Sequence, residues 1–175
     1  MDDLRYPIDR YIEQAFTHDL LKEWLLDIQY LPHHLENALL NLDENQIDTP
    51  YREGGWSIRQ LVHHVADSHM NAYIRFKLGL SEENPSIKPY NQDAWAQMPD
   101  TKNIPVNISV TLLFALHRRW IELLNNVQPN EWERTLFHPE YKKTMSLWYV
   151  LGLYAWHSRH HVAQITSLRK RMGWN

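Results

Sequence analysis

Four long segments of the chain repeat apolar residues at spacings of three and four, a period that suits amphipathic helices packed against one another. The first follows Thr17, a residue type that caps helix N-termini. It runs through Leu20, Leu21, Trp24, Leu25, Ile28, Leu31, Leu35, Leu39 and Leu42. Pro32 falls inside it and is expected to kink or split the helix, because proline offers no amide hydrogen to the carbonyl four residues back. The second segment follows Gly54-Gly55. Ser57 and Gln60 form a capping box, and the stripe continues as Ile58, Leu61, Val65, Ala72, Phe76 and Leu80. The third runs from roughly Thr111 to Val127, before Pro129, with Leu113, Leu116, Trp120, Leu123 and Leu124 inward. Ser146 caps the fourth, which carries Leu147, Val150, Leu151, Tyr154, His157, His161, Ile165 and Leu168 in register and ends near Met172.

Two stretches lack this period. Residues 81–108 carry Pro85, Pro89, Pro99 and Pro105 and read as a long crossover, with Tyr90 and Trp95 pinning it to the bundle. A lid over a pocket is one reading of it. The stretch NEWERTLFHPEYKKTM is a second irregular connection with room for a short hairpin. Strand signals are weak throughout. The expected fold is all-α: a four-helix bundle forming one domain over residues 1–175, with a long crossover between its second and third helices. The presence of only five glycines agrees with helices joined by few turns.

Composition removes several function classes. Hydrophobic residues are 43% and charged residues 22% of the chain, as in soluble globular proteins. The formal net charge is -3 and the basic residues are scattered, so neither a nucleic-acid stripe nor a polybasic membrane patch is expected. No apolar run approaches the roughly 20 residues that span a bilayer. The opening MDDLRYPIDRYIEQ lacks the apolar core of a signal peptide. The absence of cysteine excludes disulfides, thiolate zinc sites and cysteine nucleophiles. A cytoplasmic protein is expected.

Eleven histidines ask for a chemical reason. His157 and His161, four apart, stack on one face of a helix, the geometry by which one helix offers two ligands to a metal. Spacing alone is weak evidence, since about 0.7 such pairs are expected by chance from this histidine content. Register adds more. Both stand where leucine would continue the core stripe, and burying an unpartnered imidazole costs about 1–3 kcal/mol. A shared cation removes that cost. His64, beside Val65 on the inward flank of the second helix, is the third candidate, with His69 as runner-up. His63 points about 100° away, toward solvent or a neighbouring helix. His160 is off the stripe and reads as a surface or interface residue. His18, His33, His34 and His138 lie near caps, prolines or loops and are expected to be solvated, and His117 to be a satisfied flank residue. On periodicity the metal set is His64, His157 and His161. Asp67 and Gln164 are candidates to orient the ligand imidazoles, with pairing to Arg59 or Arg75 the alternative for Asp67.

The stretch GGWSIRQLVHHVADSHMNAY resembles the signature that opens the second helix in the DinB-like superfamily, in which a ligand histidine follows the tryptophan by eight residues; His64 holds that position. WHSRHHVAQI resembles the second signature, which His157 and His161 match. TPYREGGW, DSHMNAYIRFKL, ENPSIKPY and LYAWHSRHH are similar to the YfiT-type group of metal-dependent hydrolases, and the likeness covers nearly the whole chain. The resemblance implies a DinB-type bundle, three histidine ligands to a divalent metal, a homodimer and a cytoplasmic protein. It also implies kinship with bacterial thiol transferases that use a low-molecular-weight thiol such as bacillithiol.

Three neutral histidines leave a coordination position open, as in catalytic zinc sites. Zn²⁺ is the expected cofactor, with Ni²⁺ or another divalent metal as alternatives. It would lower the pKa of a bound water to about 7, or ionise a bound thiol. Three functions compete: a metal-dependent hydrolase of a small-molecule substrate, a metal-dependent thiol S-transferase acting on electrophiles, and a non-catalytic bundle whose histidines serve stability or ligand binding. Arg75 and Tyr73 are possible substrate contacts, and Trp148 and Trp156 possible dimer surfaces.

Overall fold

The structure, a computed structural model, describes residues 2–174. Its elements are α1 (Asp2–Arg5), α2 (His18–Leu39), α3 (Glu44–Ile47), α4 (Ile58–Ser81), α5 (Gln92–Trp95), α6 (Pro99–Asn103), α7 (Val106–Leu124), a 3-10 turn (Pro129–Glu133), strands β1 (Thr135–His138) and β2 (Lys143–Ser146), and α8 (Leu147–Met172). The long helices α2, α4, α7 and α8 form the bundle.

The helix starts follow the local chemistry of the sequence. The Thr17 hydroxyl accepts from the Leu20 amide at 3.1 Å. Ser57 and Gln60 cap reciprocally, and the Ser146 hydroxyl accepts from the Tyr149 amide at 3.0 Å. α8 stops where Gly173 takes the left-handed conformation, at φ 67°. Boundaries of two helices differ from expectation. α7 starts at Val106, earlier than Thr111, because Pro105 suits a helix entrance, where no amide hydrogen is needed. α2 ends at Leu39, since Leu40 turns to an extended ψ of 133° and Asp43 caps the separate turn α3.

α2 also runs through Pro32 without splitting. The carbonyl freed by the missing proline amide belongs to Ile28. It is satisfied from another helix, where the Nδ1–H of His117 on α7 donates to it at 2.5 Å.

α2 packs against α7 and α8, and so does α4. The first two long helices are therefore diagonal across the bundle, as are the last two. Besides the expected crossover at residues 82–105, the connections at 40–57 and 125–146 also have to cross an end of the bundle. The last one holds the antiparallel hairpin β1–β2, with Leu136 opposite Met145. The crossover joins the hairpin through the Ile87 amide on the Phe137 carbonyl (3.0 Å) and the Phe137 amide on the Pro85 carbonyl (2.9 Å).

Apolar burial falls into two clusters stacked along the bundle. One gathers Trp24, Ile28, Phe76, Trp120, Trp132 and Leu151. The other gathers Leu31, Leu35, Ile58, Leu61, Leu113 and Ile165. Along α4, α7 and α8 the residues between the two sets include His69, His117, His157 and His161.

Residues 6–16 lie along α8 as a strap, tied by donors of that helix. The Trp148 indole donates to the Gln14 carbonyl at 2.7 Å and the Trp156 indole to the Asp9 carbonyl at 3.1 Å. Trp148 is consequently buried and is not the exposed dimer surface expected of it. Gly152 permits this closure, because a Cβ there would run into the Tyr11 hydroxyl of the strap and, on its other side, stand 2.6 Å from Cη2 of Trp24 in α2. Gly152→Ala is expected to destabilise the protein by about 1–3 kcal/mol through overpacking, measured by urea unfolding.

Candidate metal centre

His64 enters the interior from α4, and His157 and His161 from successive turns of α8. The structure brings the three together, with one ring nitrogen of each within 4.8 Å of the other two. Nε2 of His157 lies 3.3 Å from Nε2 of His64 and 3.1 Å from Nε2 of His161. Two ligand nitrogens on a tetrahedral zinc, each about 2.0–2.1 Å from it, stand roughly 3.4 Å apart. The donor set and spacing therefore suit one shared cation.

The protonation states suit it too. Burial lowers the pKa of His64 to about 4, with a smaller contribution from His160. Burial first, and neighbouring histidines second, hold His157 and His161 well below the usual imidazole value. All three are neutral at pH 7 and present lone pairs.

The other nitrogen of His161 is accounted for. Gln164 donates its amide N–H to the Arg5 carbonyl at 3.0 Å, which turns its Oε1 toward Nδ1–H of His161 at 2.8 Å. The same amide donates to Nε2 of His160 at 3.0 Å. His161 therefore offers Nε2 to the centre, and Gln164 has the orienting position expected of it. Asp67 does not. Its half-buried carboxyl has no side-chain partner among the described residues, and burial, then Asp100, raises its pKa to about 6. Arg59 is paired instead with Asp48 and Glu44. His64 packs its ring on Trp56, with centroids 4.7 Å apart.

A cavity of about 1040 Å³ opens beside the centre, with His157 in its wall. The crossover contributes Tyr90 and Asn91, the hairpin His138 and Tyr141, and the helices Arg75 and Tyr154. The crossover thus forms a wall of this cavity, tied to the hairpin by main-chain hydrogen bonds. Arg75 is half-buried and donates to the Tyr154 hydroxyl at 3.1 Å. No carboxylate of the described residues lies within 4.0 Å of it.

The remaining histidines divide sharply. His18, His33 and His34 are exposed, as expected. His63 is buried against a neighbouring helix, its Nδ1 2.7 Å from the Ser109 hydroxyl. His160 is not a surface residue. It is 5% exposed, because the strap, which has no period to announce it, covers α8 and places Tyr6 5.6 Å from its ring. His138 is also 5% exposed rather than solvated, being on β1 and stacked with Tyr141 at 4.2 Å. His69, the runner-up ligand, stands outside the cluster of three. Its Nδ1 is 3.0 Å from Nε2 of His117, and its Nε2 is 3.1 Å from Nδ1 of His157. Register pointed to both partners: His69 follows Val65 by four and precedes Ala72 by three, and His117 stands likewise between Leu113 and Trp120.

Diagonal consecutive helices and three inward histidines on two of them make the bundle a helical scaffold with a candidate metal site. The chain belongs to the DinB superfamily, whose family profile matches residues 28–165. A protein of Bacillus cereus strain G9842 is 52% identical over 175 residues, covering 99% of this chain and 100% of the relative. One from Bacillus mycoides strain KBAB4 is 51% identical with the same coverage. Both carry the name "Putative metal-dependent hydrolase". Among solved structures, YfiT from Bacillus subtilis superposes with a TM-score of 0.96 at 44% identity, covering 99% of both chains. It is described as "a probable metal-dependent hydrolase with an unusual four-helix bundle topology". No described helix is long and apolar enough to cross a membrane.

The buried histidines make the metal-free protein sensitive to acid. Eight have depressed pKa values, three of which (His64, His117 and His160) lie at about 4. Between pH 6.5 and 4 the unfolded chain binds protons that the folded chain refuses, so stability falls as pH falls through that window. Asp27 and Asp67, both raised to about 6, act in the opposite sense but are only two groups. With chelator present, the melting temperature is expected to drop steadily from pH 6.5 to 4.5, as read by circular dichroism.

Proposed function

We propose that the chain is a metal-dependent hydrolase in which His64, His157 and His161 hold one divalent cation, zinc by donor type, beside the substrate cavity. The observation that carries this reading is the convergence of three neutral imidazole nitrogens at 3.1–3.3 Å from one another through His157, at the edge of a cavity of about 1040 Å³. A cation held there would supply Lewis acidity and bring the pKa of water down to about 7. The histidines supply only neutral donors, which preserves the positive charge of the site. The bundle would supply three ligands from rigid helices, one of which, His157, lines the cavity.

The cavity of about 1040 Å³ also supports a second reading, thiol S-transfer, because it has room for a thiol beside an electrophile. A thiol starts from a pKa of about 8.5, so less assistance is needed to ionise it. Parallel assays of water and thiol nucleophiles on one panel of electrophilic small molecules separate the two. His157→Ala is expected to abolish stoichiometric zinc binding and to lower turnover by at least about 100-fold; full turnover in that variant would end both enzymatic readings.

Arg75 bears on the substrate. A half-buried guanidinium with no carboxylate partner among the described residues, in the wall that also holds His157, supports a substrate with an anionic group. Arg75→Gln is expected to raise KM for anionic members of the panel by about tenfold while leaving neutral members unchanged, consistent with loss of about 1.4 kcal/mol of binding. A homodimeric assembly and a cytoplasmic location rest on the sequence resemblance, and sedimentation velocity tests the first.

A further inference from the structure

His69 and His117 are fully interior yet lie outside the proposed ligand set. His69 is 0% and His117 2% exposed. With His157 they form one line of contacts: Ile28 carbonyl to His117 Nδ1 at 2.5 Å, His117 Nε2 to His69 Nδ1 at 3.0 Å, and His69 Nε2 to His157 Nδ1 at 3.1 Å. A neutral imidazole has one N–H and one lone pair, so each contact needs one nitrogen of each kind. The carbonyl at the far end can only accept. His117 must then carry its hydrogen on Nδ1 and accept on Nε2. That makes His69 donate from Nδ1 and accept on Nε2, and His157 donate from Nδ1. The nitrogen left bare on His157 is Nε2, the one that faces His64 and His161.

The opposite set of tautomers would aim the Nδ1 lone pair of His117 at the Ile28 carbonyl, acceptor against acceptor at 2.5 Å. Their place removes the doubly protonated alternative, since it would be a buried or half-buried cation with no carboxylate oxygen within 4.0 Å among the described residues. The Ile28 carbonyl is free to anchor the line because Pro32, four residues on, has no amide hydrogen to give it.

We propose that His117 and His69 are positioning residues that lock the tautomer and ring orientation of His157, anchored on the carbonyl that Pro32 leaves free. The line is not a proton path, because a carbonyl cannot take the proton onward. It works as a one-way setting: a single main-chain acceptor in α2 decides which nitrogen α8 offers to the cation. Gln164, anchored on the Arg5 carbonyl, sets His161 by the same logic, so two of the three proposed ligands are each fixed by a backbone oxygen in another part of the chain.

This rests on the metal-binding reading of His157, and the experiments keep the two apart. Long-range ¹H–¹⁵N NMR on the metal-free protein reads the tautomers directly and needs neither variant nor metal. His69, His117 and His157 are expected to be Nδ1–H, and an Nε2–H tautomer at His157 would overturn the proposal. Zinc affinity is then measured by chelator competition. His117→Phe removes the acceptor for His69 and is expected to weaken zinc binding about 10–100-fold. His117→Gln can donate to Ile28 and accept from His69, and is expected to keep most of the affinity. Equal affinity in the two variants would overturn the positioning role, whereas a wild-type protein that binds no zinc would overturn the metal reading and leave the tautomers standing. Pro32→Ala restores a competing amide at the anchor and is expected to weaken zinc binding to a lesser extent; unchanged affinity would overturn the part assigned to Pro32.

Discussion

A layer of neutral imidazoles between two apolar clusters is the constraint around which this bundle is organised. Placing titratable rings at that depth carries a large desolvation cost for their charged forms, and the lowered pKa values record it. Neutral rings avoid that cost, but each must still find a donor and an acceptor. The structure meets the need with main-chain oxygens at the edges and with ring-to-ring contacts between them. At the centre Nε2 of His157 faces Nε2 of His64 and Nε2 of His161, an arrangement that suits a shared cation.

The rest of the molecule follows from closing that layer off. The strap at residues 6–16 covers the outer face of α8 and places Arg5 where its carbonyl can hold Gln164. The crossover and hairpin, fastened to each other through Phe137, leave one side open as a cavity rather than sealing it. Depth and access are thus assigned to different parts of the chain: helices fix the imidazoles, and the irregular connections shape what can reach them.

Pro32 shows how a local defect is absorbed. In isolation an interior proline costs a helix about 3 kcal/mol or more through a lost hydrogen bond and a clash. Here the orphaned Ile28 carbonyl gains a donor from α7, and α2 continues unbroken. The interhelical bond ties α2 to α7 at the level of the histidine layer.

Much of the fold and the three converging histidines were legible in the residues. The periods of three and four, the caps at Thr17, Ser57 and Ser146, and the spacing of His157 and His161 are properties of local chain geometry, which a helix of fixed pitch converts directly into faces. The diagonal order of the helices, the burial of His160 and His138, and the route from Ile28 through His117 and His69 were not. They depend on which segments lie side by side. His160 is buried by a strap without periodicity, and His117 is satisfied by a carbonyl 89 positions away in the chain. Sequence by itself determined which side of each helix faces inward, because side-chain direction is set by helical pitch. Tertiary structure alone decided which inward rings meet and which nitrogen each one offers, because a hydrogen-bond partner is chosen by proximity in space.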